Sequence, residues 1–358
     1  MSTGSGGGGM LRRLAPTGVR LLVLALVVGL IAWRLDWSQV HTMLHPASWA
    51  FLLLAIGANF VSVGFKGEAW KGIVDGLPSL DAPTRYRDVI SPLFVGFLFN
   101  TVLAARLGEL AKVLLLRRRL QARGQRVSAT SLIGTIVAEN LISTIVWVVL
   151  VVLIGLFLPL PFYAWVVSLV VGVVCVVVVT IAMATTTGHR LPSWVTHGSI
   201  GHRVMSALVR MWEAVQESHL ALRNPRLLGV VGVACLGSWL GQWAGIHWTL
   251  LAFGIHSPGW GGAGLLLVTI SVAQAFPLLP GNMVVFQAAA MLPLTTTYGV
   301  GSSRALVFAV VLQFTEAVVG VAVGFLFLLG EGVTFGQLRR QAQEEQVAQE
   351  AQAEAAER

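Results

Sequence analysis

The chain has 358 residues, of which 56% are hydrophobic and only 11% charged, and its formal net charge is +8. That balance excludes a water-soluble core and points to an integral membrane protein, because several apolar runs exceed the ~20 residues a bilayer requires. The two cysteines, Cys175 and Cys235, both lie in apolar runs, so free thiols are expected and no disulfide framework.

Residues 1–15 are a glycine-rich, flexible lead-in. The first span is expected from Val19 to Trp37; it lacks a clear small-residue cleavage site and reads as a retained helix. Arg12, Arg13 and Arg20 at its start favour a cytoplasmic N-terminus. A second span is expected over Pro46–Gly64, ending at Lys66, with a mixed-charge cytoplasmic segment from there to Asp88.

The apolar run Val89–Ala105 follows, about 17 residues and short for a full crossing. It leads into 106–126, where seven Lys/Arg stand against one acid, Glu109. Basic flanks on both sides of a short run predict a re-entrant hairpin, down along 89–103 and back along 104–119. A single full crossing, leaving one basic loop outside, is the rival topology. On the returning arm Arg106, Glu109 and Lys112 sweep one side of a helix, with Leu107, Leu110, Ala111 and Leu114 on the other. Spacing alone allows an interfacial helix with its charges among headgroups. The apolar run before it favours charges held below the surface, where ionisable groups mark a pathway or a site.

Long spans are expected over Ser128–Leu158 and Trp165–Ala184. The first carries Ser131, Thr135, Glu139 and Ser143 at i+4 spacing. Hydroxyls in such a stripe are packing glue; Glu139 among them needs a partner, a proton or water. The segment 185–226 is polar and basic, and Val204, Leu208, Met211 and Val215 predict a helix lying on the cytoplasmic face. The next span, Leu227–Phe253, has Gly237, Gly241 and Gly245 as a small-xxx-small packing face. Trp239, Trp243 and Trp248 read as packing or interface anchors, and His247 as a satisfied core histidine.

The run Gly261–Ala275 meets Pro277-Leu-Leu-Pro280-Gly281-Asn282. Two prolines and a glycine end a helix, and Asn282 caps a new one over Met283–Leu292. No Lys or Arg flanks this segment before Arg304, so it reads as a second hairpin entering from outside. The last span, Ala305–Leu329, carries Gln313, Glu316, Gly320 and Gly324 along one side. The tail 331–358 is rich in Gln, Glu and Ala and is read as a solvated helix or disordered. The expected fold is an all-α polytopic membrane protein of about six full spans plus two opposed re-entrant hairpins, between residues 16 and 330. Its expected place is the cell membrane, with both termini cytoplasmic.

Asn100-x-x-Leu103-x-Ala-Arg106-x-Gly108-Glu109, then Glu139, then Pro277-x-x-Pro280-Gly281 resemble the lysylphosphatidylglycerol synthase transmembrane family, also called flippase-like. The resemblance covers residues 15–330. Ala104 stands where the family usually has proline, and Lys112 where arginine is common. Asn140 and Ser143 stand where the family often places a basic residue and an aspartate. Asn282, Val284 and Gln287 replace two glycines and a glutamate. The resemblance implies translocation of a lipid across a bilayer. The soluble aminoacyltransferase domain of full-length synthases is not expected, since spans consume nearly the whole chain.

The residues lead to the same expectation by their own chemistry. Opposed hairpins bring helix ends towards the midplane, and a helix starting after Pro280, Gly281 and Asn282 presents free N–H groups and a positive dipole end. Arg106 offers a planar fork for a phosphate, with Lys112 as a second cation and Glu109 to orient it. Glu139 or Glu316 would meet a cationic headgroup or carry a proton; Asn100 and Gln287 complete the candidate set. No P-loop, metal-ligand spacing or nucleophile is found, so no cofactor and no enzyme activity are expected, and any energy comes from an ion or lipid gradient. Expected partners are a membrane phospholipid or polyprenyl-linked lipid and the bilayer itself, with no nucleic acid; a homo-oligomer is compatible. Two other classes stay open: a membrane enzyme acting on lipid headgroups with Glu139 as base, and an accessory subunit.

Overall fold

The computed structural model describes residues 48–102, 107–157, 224–275 and 283–330, with scattered positions between 162 and 172. Its bounded elements are helices: α1 (Ser48–Asp75), α2 (Tyr86–Val102), α3 (Leu107–Ala122), α4 (Ala129–Phe157), α5 (Pro225–Ala252), α6 (Gly259–Ala275), α7 (Met283–Thr296) and α8 (Ser302–Gly330). The expected first span, nearly all of 165–184, most of the surface segment 185–226, Cys175 and the tail 331–358 lie outside the described residues. Cys235 is a free, buried thiol.

Helices α1, α4, α5 and α8 are long and apolar enough to cross a membrane. The other four run to 17, 16, 17 and 14 residues. At 1.5 Å per residue these reach only about 21–26 Å, short of a ~30 Å hydrocarbon core.

One boundary differs from expectation. The second span does not end at Lys66; α1 continues to Asp75. No proline interrupts it before Gly76, and Lys66, Lys71 and Asp75 are paired in place. Lys71 pairs with Asp75 at 2.7 Å, and Lys66 is held by another helix. Asp75 also accepts from Thr84 N and Oγ1, both at 2.6 Å, which folds the following loop against the helix end. At the start of α5, Asn224 caps Arg226 N and Leu227 N ahead of Pro225 at N1.

Helix α5 runs antiparallel to α1 along the expected glycine seam. A Cβ on Gly237 would meet the Phe65 ring at 2.8 Å and one on Gly241 would meet Ser62 Cβ at 2.9 Å; Gly245 faces Asn59 and Ala55. Small residues let the two backbones approach. Ser62 Oγ then donates to Ser238 O at 2.8 Å. On α8, Gly320 faces Phe97, while Gly324 sits against the Phe94 carbonyl and Leu98, which sets α8 antiparallel to α2.

These contacts orient the two short-helix hairpins. The ends of α2 and α3 nearest Asp88 and Arg123 join by an ion pair, so both arms start and finish at the end of the bundle that carries Asp75. The α6–α7 hairpin has its base at the other end. Gly262 of α6 lies against Tyr298 beyond α7, and Gly264 touches Ile154 near the far end of α4. The bases of the two hairpins therefore lie at opposite ends of the bundle. The core around α5–α8 is apolar and aromatic, with Phe253, Phe286 and Phe308 fully buried.

Candidate functional site

The site begins where α2 and α3 touch. Gly108 has no room for a side chain, because a Cβ there would strike the Gly96 carbonyl and the Asn100 amide. With glycine at both positions, Gly108 N donates to Asn100 Oδ1 at 3.0 Å, and Asn100 Nδ2 donates to Glu109 Oε1 at 3.2 Å. Asn100 thus serves an orphan N–H in the first turn of α3 from the neighbouring helix. That fixes Glu109.

One turn on, Lys112 is 3% exposed. Its Nζ lies 2.5 Å from Glu109 Oε2. This is a close, charge-assisted ion pair. The ammonium sits 5.4 Å from the centroid of the Trp70 ring on α1, a cation–π arrangement. Trp70 Nε1 donates to Thr135 Oγ1 on α4 at 3.0 Å. The stem of Lys112 runs over Gly96, where any Cβ would displace it.

Glu139 is 3% exposed, so it faces protein. Its partner is Lys66 of α1, whose Nζ donates to Oε1 at 3.1 Å. Lys66 also feels the charge of Glu109. The result is an alternating series across three helices, Lys112, Glu109, Lys66 and Glu139, with no net charge. Burial of any one of them alone would be costly; compensation by neighbours makes the set tolerable. The hydroxyls beside Glu139 are committed to packing: Ser143 accepts from Trp239 Nε1 at 3.1 Å and Ser131 contacts Ser128 Oγ at 2.6 Å.

Of the expected residues, Asn100, Glu109, Lys112 and Glu139 are brought together, through Lys66. Glu316 stands apart on α8, half-buried and near Gln274 of α6. Gln287 is half-buried on α7. Arg106, Pro280, Gly281 and Asn282 lie outside the described residues. Lys66, Trp70 and Gly96 went unrecognised in the sequence. A signal existed: Lys66 and Trp70 are four apart, as are Glu139 and Thr135, and two antiparallel helices bring those pairs into register.

Elsewhere, His247 is only partly satisfied. Its ring stacks on Trp260 at a centroid distance of 3.9 Å, yet Nδ1 has no hydrogen-bond partner among the described residues. Trp243 acts as the expected anchor, donating from Nε1 to the Trp260 carbonyl at 3.0 Å. No cluster of three or more metal-binding side chains occurs among the described residues.

Searches of curated proteins and of solved structures found no match. The family model for the lysylphosphatidylglycerol synthase TM region matches residues 19–324, a stretch that contains the whole charged cluster and both hairpins. The chain belongs to the lysylphosphatidylglycerol synthase transmembrane family.

Proposed function

We propose that the protein is a flippase-like transporter that moves a phosphate-bearing lipid across the cell membrane. The observation that carries this reading is the charge-balanced cluster of Lys66, Glu109, Lys112 and Glu139 at the flank of a hairpin too short to span. A static fold gains little from such a cluster, since apolar packing of equal volume stabilises as well or better. Exchangeable ion pairs are useful to a site that takes up charge and releases it. A lipid phosphate would compete with the carboxylates for Lys112 and Lys66, and the freed carboxylates would receive any cationic part of the headgroup. Arg106, three residues before Glu109, would add a bidentate fork. In this reading the two hairpins are re-entrant and both termini are cytoplasmic.

The test is movement of headgroup-labelled phospholipid in liposomes holding the purified protein alone. Lys66→Leu combined with Glu139→Leu removes both charges of one pair and leaves no unpaired ion. Transport lost at unchanged thermal stability is the expected outcome. Stability and transport falling in step would instead make the pair a structural pin. Recovered lipid of altered mass would indicate an enzyme, and neither movement nor change would indicate a subunit. For topology, Gln121→Cys should react with an impermeant thiol reagent from the cytoplasmic side only.

A further inference from the structure

Lys112 has two partners of different kinds. Its Nζ lies 2.5 Å from Glu109 Oε2 and 5.4 Å from the centroid of the Trp70 ring. Another anion can displace a carboxylate from an ammonium, because both offer it negative oxygens. It cannot displace the ring. The π face attracts cations through its quadrupole and turns anions away. In any exchange of anions, one partner of Lys112 is replaceable and the other stays.

The ring is fixed from its polar edge. Trp70 is 1% exposed, and its Nε1 donates to Thr135 Oγ1 at 3.0 Å. That hydroxyl donates in turn to the Leu132 carbonyl at 2.7 Å. Lys66, one turn before Trp70 on α1, meets Glu139, one turn after Thr135 on α4. The ring thus takes its place from the same α1–α4 register that makes the second ion pair. Access to the ammonium is limited. The Lys112 side chain is 4% exposed and that of Glu109 is 36% exposed, so an incoming anion reaches the ammonium past Glu109.

Exchange of one anion for another passes through a state in which the ammonium has neither. At a protected position the bare cation is the costly species. The ring helps it most there, because in either paired state the neighbouring anion offsets the attraction between cation and π face. An interaction that is strongest in the intermediate changes rates and leaves the equilibrium between the paired states in place.

We propose that Trp70 is a positioning residue that carries the Lys112 ammonium between Glu109 and a lipid phosphate, stabilising it while it is paired with neither. The lipid as the source of that phosphate rests on the transport reading above; the hold of the ring on the ammonium does not.

The test replaces Trp70 with mono-, di- and trifluorotryptophan at that one codon of the full chain. Fluorine draws density from the π face with little change of shape. It also makes Nε1–H a better donor to Thr135, so a loss along the series cannot come from that hydrogen bond. Binding and release of short-chain phosphatidylglycerol are followed by stopped flow on the purified protein in detergent. Movement of headgroup-labelled phosphatidylglycerol is followed in liposomes. Both rate constants should fall with each added fluorine, about tenfold over the series, at an unchanged dissociation constant, and movement should slow in step. The same series at Trp239 should leave the rates alone, since its Nε1 donates to Ser143 but its ring meets Trp147 and not an ammonium. Inorganic phosphate at matched concentration should not displace the lipid; displacement would overturn the lipid as the source of the phosphate. Rates that stay flat across the Trp70 series overturn the proposal, as does an equal fall at Trp239. A dissociation constant that rises with fluorine overturns it too, since Trp70 would then anchor the bound state. Slowed binding and release in a protein that moves no lipid leaves the proposal standing and removes the transport reading. A wild-type protein that binds no phosphatidylglycerol removes both.

Discussion

The α2–α3 hairpin carries Asp88, Glu109, Lys112 and the arginines from 117 to 119, whereas α6–α7 has no titratable residue from Gly259 to Thr296. Their attachments differ accordingly. The first is tied at its base by the Asp88–Arg123 ion pair, by Arg119 on the Arg87 carbonyl, and by Gln125 Nε2 on the Ala82 carbonyl at 3.0 Å. Deeper in, it is tied by the charged cluster. The second rests on Trp243, His247 and Tyr298, through stacking, packing and a hydrogen bond to a backbone carbonyl. Ion pairs require both partners in place, so the charged hairpin has one good position. Stacking and apolar contact tolerate sliding far better. The comparison makes the first hairpin the more rigidly held and the second the easier to displace.

The strongest way to break it is at the glycine contact. Gly108→Val places a branched side chain against the Gly96 carbonyl, so α2 and α3 must separate and the cluster disperses. Overpacking of this kind costs about 1–3 kcal/mol or more, and loss of the ion pairs adds to it. The expected result is little folded protein, read by size-exclusion and thermal melting in detergent. Normal folding would show that the close approach is not required.

A smaller effect is expected from the ion pair. Glu139→Leu alone leaves Lys66 unpaired. Removing one partner of a buried pair costs about 3–5 kcal/mol, and the lower end applies because the Lys66 side chain is 25% exposed. Adding Lys66→Leu should restore most of that stability, and a double-mutant cycle on melting measures the coupling. Additive losses would mean that the two residues do not depend on each other.

The smallest effect belongs to the second hairpin. Trp260→Ala removes the His247 stack and the T-shaped contact with Trp243, at 5.4 Å between centroids. Such aromatic contacts add about 0.5–1.5 kcal/mol each beyond the area they bury. Hydrogen exchange should rise in α6–α7 and stay unchanged in α2–α3. Equal loosening of both hairpins would erase the distinction drawn between them.

Local patterns in the sequence carried much of this. Apolar length located α4, α5 and α8, the glycine spacing located the α1–α5 seam, and the i+4 stripe placed Glu139 on a protected face. The centre of the site was not legible in that way. Lys66 read as the end of a span because a cation in apolar sequence usually marks the interface; its carboxylate lies 73 residues further along. Gly96 looked like one of many glycines, and only the return of α3 shows what it makes room for. Trp70 had no charge to draw notice until Lys112 came to lie over its ring. Pairings between helices depend on register, which hydropathy does not encode.

The order in which α1 meets its partners follows from the same separations. During synthesis Ser62 precedes Ser238, its contact across the glycine seam, by 176 residues. At about 5–20 residues per second this is a wait of roughly 9–35 s. Glu139 arrives 73 residues after Lys66, about 4–15 s at the same pace. The ion pair can therefore hold α1 beside α4 before the longest seam of the bundle has been made. A helix that would otherwise idle in lipid with a bare ammonium is given an early companion.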